Sequence, residues 1–69
     1  MELYNRLLNE ARYAQQSYLD GYGASLLWEC KGKKDMAYEL GALNLEQARK
    51  LNDMTVVFYN TNGKRGKAD

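Results

Sequence analysis

Between Tyr4 and Leu26 the apolar side chains recur at the 3.6-residue period of an α-helix. Tyr4, Leu7, Leu8, Ala11, Ala14, Tyr18, Leu19, Tyr22 and Leu26 fall on one face, and Asn5, Arg6, Asn9, Arg12, Gln16 and Asp20 on the other. This period constrains the chain more than any other feature, because it makes the first third helical and obliges that helix to bury one side. The arc keeps its phase across Gly21 and Gly23, although each glycine costs about 1 kcal/mol against alanine in a helix interior. The expectation is one continuous helix over residues 2–28, with glycines that admit a close neighbour. KGK follows at residues 31–33, and Gly32 suits the left-handed conformation that closes a helix C-terminus.

A second helical pattern covers residues 34–52, where Met36, Leu40, Leu43, Gln47 and Leu51 share a face if the helix is unbroken. Folding it back on the first makes an antiparallel hairpin. Tyr38, Ala42 and Leu45 gather on the opposite side, an apolar excess that calls for a second cover. TVVFY at residues 55–59 is rich in β-branched and aromatic residues and predicts a strand near residues 56–59. NTNG after it suits a hairpin turn, yet no β-forming run returns alongside, so this strand needs a partner from elsewhere. The expected fold class is therefore mainly α: an antiparallel helical hairpin with a short C-terminal β-strand, a single domain over residues 1–60 and a basic tail over 61–69.

The stretch DMAYELGALNLEQARKL, residues 35–51, admits a second reading. Ala37 stands four residues before Gly41, and Asn44 with Gln47 fits a capping box that opens a new helix at Leu45. The stretch resembles the bihelical unit of small repressor-like regulators, in which an alanine packs inside and a glycine begins the turn. That resemblance covers under a third of the chain. It implies DNA reading by Gln47, Arg49 and Lys50, with Lys64, Arg65 and Lys67 of the tail on phosphate. Two departures weaken it: Gln47 stands where the family buries an aliphatic residue, and Glu46 and Asp53 offset the basic residues of the presumed reading helix.

Size and chemistry limit the remaining classes. A chain of 69 residues with one cysteine and no histidine has neither an intrachain disulfide nor an ordinary Cys/His zinc cluster to reinforce it. Its carboxylates lack metal-ligand spacing, and neither a phosphate loop nor a nucleophile-base pair accompanies them, so no enzyme and no cofactor is expected. Ten basic against nine acidic residues exclude a polycationic nucleic-acid coat. No apolar run is long enough to span a bilayer, and the N-terminal residues lack a signal-peptide pattern, so a cytoplasmic location is expected.

Aromatic residues make up 12% of the chain, and several stand off the main helical stripes, where interface anchors are enriched. The favoured expectation is a small regulatory or accessory protein that docks on another protein through Trp28, Tyr38, Leu45, Val57 and Phe58. This style is common among bacteriophage-encoded modulators of host proteins. Dimerisation is expected too, with strands pairing across a two-fold axis over the Tyr38, Ala42 and Leu45 side.

Overall fold

The computed structural model describes residues 2–63, and they form three helical rods running up, down and up. Helix α1 spans Glu2–Leu19 and α2 spans Ser25–Glu39. The third rod is composite: α3 (Leu45–Asn52) runs through a π-helical stretch (Asp53–Val57) into α4 (Phe58–Gly63). Lys64, Arg65 and Lys67 of the expected basic tail lie outside the described residues.

Both turns close with the same device. At the end of α1, Gly21 has φ +95°, its N–H donates to the Tyr18 carbonyl at 3.1 Å, and the Tyr22 N–H donates to Ser17 at 3.0 Å. At the end of α2, Gly41 has φ +81°, its N–H donates to Tyr38 at 3.0 Å, and the Ala42 N–H donates to Ala37 at 2.8 Å. This paired pattern is the Schellman closure, in which a left-handed residue turns the chain back over its own last carbonyls. α3 then opens on a complete capping box. The Gln47 N–H donates to Asn44 Oδ1 at 2.8 Å, and the Asn44 N–H donates to Gln47 Oε1 at 3.0 Å.

These breaks correct the expected hairpin. The helix does not continue over residues 2–28, because the left-handed closure at Gly21 ends it and Tyr22, in phase on paper, stands 78% exposed. Nor is there a continuous helix over residues 34–52: residues 40–44 form a turn. KGK, expected to be the hairpin turn, lies inside α2. Leu27, Cys30, Lys34 and Ala37 are all buried there at helical spacing, so one stripe runs straight across the lysines. Lys34 fills its place with its aliphatic stem while the ammonium reaches Asp35 Oδ1 at 2.7 Å and Asn52 Oδ1 at 3.2 Å.

The expected C-terminal strand is also overturned, since no strand occurs among the described residues and TVVFY is helical. An isolated strand would leave its backbone groups unpaired, whereas a helix satisfies them within the segment. Helix also places Thr55 in full burial, where its hydroxyl donates to the Leu51 carbonyl at 2.9 Å. The π-helical stretch is bound to α1 by Gln15, whose Nε2 donates to the Met54 carbonyl at 3.0 Å. The residues expected to form a hairpin turn, 60–63, continue the helix. A strand-mediated dimer therefore has no basis.

Two small cores hold the rods together. Leu7, Ala11, Ala37, Leu43 and Leu51 form one, edged by Leu3, Tyr4, Leu8 and Met54. Ala14, Leu27 and Cys30 form the other, covered by Tyr18, Phe58 and Tyr59. The Tyr18 and Phe58 rings meet edge to face at 6.2 Å, and Trp28 meets Tyr59 at 5.0 Å.

Candidate docking surfaces

Four of the five expected contact residues are exposed large apolar groups. Trp28 and Tyr38 lie on α2 at 41% and 45% exposure, Leu45 opens α3 at 53%, and Val57 closes the π-helical stretch at 45%. Trp28 is only partly available, since its ring packs on Tyr59. Phe58 differs from the rest: it is half-buried against the second core and serves the fold. On α2, helical phase puts Trp28, Lys31, Asp35 and Tyr38 on the flank that borders the third rod, consistent with the Trp28–Tyr59 and Lys34–Asn52 contacts. Lys31 and Lys34 both bind Asp35 at 2.7 Å, and these hydrogen bonds hold its carboxyl below the usual aspartate range.

The residues of the DNA-reading alternative are divided. Arg49 and Lys50 are exposed in α3, while Gln47 is half-buried with its amide oxygen engaged in the capping box. Glu46 and Asp53 are exposed beside them. The chain does break into two helices at residues 40–44, as this alternative expects.

The structure brings out a second surface that the sequence pattern did not isolate. The side of the α1/α2 pair away from the third rod is an open furrow, divided in two by an ion pair between Lys33 and Glu10 at 3.0 Å. This pairing lifts the Lys33 ammonium above the ordinary lysine range, chiefly through the hydrogen bond and then through the carboxylate charge. On one side of the bridge lies a groove of about 470 Å³ lined by Leu3, Arg6, Met36, Leu40 and Ala42 among others. On the other side a groove of about 290 Å³ is lined by Asn9, Tyr13, Leu26, Glu29 and Cys30. Leu40 is 76% exposed, Tyr13 69% and Met36 58%.

Sequence phase assigned Met36 and Leu40 to the core face of a long second helix. The turn at Gly41 separates them from Leu43 and Leu51, and leaves them outside. A C-terminal glycine signal at Gly41, weighed above the phase of the apolar residues, would have found them.

Chemistry is sparse. Cys30 is buried and unpaired, and burial, then the Glu10 carboxylate, pushes its thiol pKa up and away from nucleophilic use. Among the described residues no group of carboxylates and thiols is placed to hold a metal ion, and no helix is long and apolar enough to cross a membrane. Comparison with known proteins found no matching family model, no similar curated protein and no similar solved structure.

Proposed function

We propose that this is a cytoplasmic, non-catalytic accessory protein that acts by docking on another protein and modulating it, and that it self-associates to do so. The observation that carries the reading is the exposure of Trp28, Tyr38, Leu45 and Val57 on a domain with only two small cores. A chain this short has few large apolar side chains to spare. Among the described residues nine stand exposed, these four included, and keeping so many in water is costly unless another surface covers some of them. Tyrosine and tryptophan combine contact area with a polar handle, which suits a surface that must stay soluble when unoccupied.

The test is capture from a lysate of the source cell by the immobilised protein and by a Tyr38→Ser/Leu45→Ser variant. Neither side chain belongs to a core cluster, so the variant retains its helicity. A partner held by the parent and lost by the variant supports docking. Identical captured sets from both would defeat it.

A second reading, a small DNA-binding regulator, is favoured by the turn at Gly41 and the capping box at Asn44. Its weakness is the engaged Gln47 amide and the acidic neighbours of Arg49 and Lys50. Tight duplex binding that weakens on Arg49→Ala, with loss across all sequences smaller than loss on the preferred one, would establish it over docking.

A further inference from the structure

The two grooves of the α1/α2 furrow are related in a way that a partner of unrelated sequence would not require. α1 and α2 run antiparallel, so positions on either side of the Glu10–Lys33 bridge match in reverse order. Arg6 stands four residues before Glu10, and Glu29 four residues before Lys33, which puts each about 6 Å along its helix from the bridge, in opposite directions. Tyr13 and Met36 stand three residues from the bridge, also in opposite directions. The furrow is thus basic at its Leu40 end and acidic at its Leu26 end, with a large exposed apolar group on each side. Among the side chains of residues 3–62 neither Arg6 nor Glu29 has an ion-pair partner.

We propose that a second copy of this chain covers the furrow, face to face and antiparallel, about a two-fold axis that crosses the furrow at the Glu10–Lys33 level. That operation carries the basic end of one furrow onto the acidic end of the other, so Arg6 meets the partner's Glu29 twice over. It also sets Tyr13 opposite the larger groove of the partner, beside the partner's Met36. The parallel arrangement, with the axis along the furrow, would set Arg6 against the partner's Arg6 and Glu29 against the partner's Glu29. Charge complementarity selects the antiparallel form. Specific interfaces begin near about 1,000 Å² in total, or about 500 Å² per protomer. The bundle's long face measures 36 by 16 Å across its Cα atoms, which is of that scale. The pairing leaves Tyr38 and Leu45 uncovered, so the dimer presents its docking flank twice; it rests on the self-association proposed above, and its test is separate from the capture that tests docking.

Sedimentation equilibrium over a broad micromolar range reads the proposal. The parent protein should dimerise. Arg6→Glu and Glu29→Arg should each weaken the dimer about tenfold or more, because each sets like charges together at two symmetric places. A mixture of the two single variants should recover a heterodimer, and the double variant should recover the homodimer. Leu40→Glu, at an exposed turn position, should abolish association with helicity retained. A monomer at all concentrations would overturn the proposal, as would a dimer indifferent to both single charge reversals, since that dimer would use the parallel arrangement or another face.

Discussion

Alanine at Gly32 and at Gly41 should move stability in opposite directions. At both positions an added Cβ meets no atom within 4 Å, so packing contributes nothing to either change and the backbone decides both. Gly32 lies within α2, where alanine is favoured by about 0.8–1.0 kcal/mol. Gly41 sits at φ +81°, where a Cβ costs about 1–2 kcal/mol, offset in part by about 0.4–1 kcal/mol from restricting the unfolded chain. The expected outcome is that Gly32→Ala stabilises by about 1 kcal/mol and Gly41→Ala destabilises by about as much. At about 4–8 °C per kcal/mol for a domain of this size, the two melting temperatures should differ by roughly 8–16 °C. Far-UV circular dichroism during thermal and urea unfolding measures both, at concentrations low enough to keep the chain monomeric. A hairpin that turned at residues 31–33 and stayed helical through Gly41 would give the reverse signs. Reversed or equal shifts would refute the placement of both turns.

The other predictions concern the core, the π-helical stretch and pH. Leu27→Ala, at a fully buried position, should cost about 2–5 kcal/mol. Against a total of about 3–10 kcal/mol for a 69-residue domain, that is roughly half of the stability, so the urea midpoint should fall to about half that of the parent, and an unchanged midpoint would remove Leu27 from the core. Thr55→Val removes the hydroxyl donated to the Leu51 carbonyl while keeping the shape, and should cost about 1 kcal/mol; an unchanged urea midpoint would show that hydrogen bond to be idle. Asp35 has a folded pKa below its ordinary 3.8, so its contribution is present above that value and is lost as pH falls through the lower folded value. Unfolding followed between pH 5 and pH 2 should therefore show a shallower loss of stability for Asp35→Asn than for the parent, and parallel curves would remove the role given to Lys31 and Lys34.

The helical character of residues 2–19 was legible in the sequence because α1 carries a full apolar arc, and local periodicity agrees with burial from Leu7 to Tyr18, while Leu19, in phase with the arc, is exposed where the helix ends. The capping box at Asn44 and Gln47 was legible for a similar reason: it needs only side chains three residues apart. Tertiary structure decided the rest. Phase continued across Gly21 and Gly41, but phase is only a permission, and a left-handed glycine that turns the chain back over its own carbonyls lets short rods pack on one another. Lys34 read as polar and hid the stripe of α2, since its burial depends on Asp35 beside it and Asn52 on another rod. TVVFY has strand propensity, yet a lone strand had nothing to pair with, while a helix satisfied its own backbone and gave Thr55, Phe58 and Tyr59 a core to enter. The exposed furrow was hidden by the same weighting of phase over turn: an unbroken helix groups Met36 and Leu40 with Leu43 and Leu51, and only the left-handed turn at Gly41 leaves them outside.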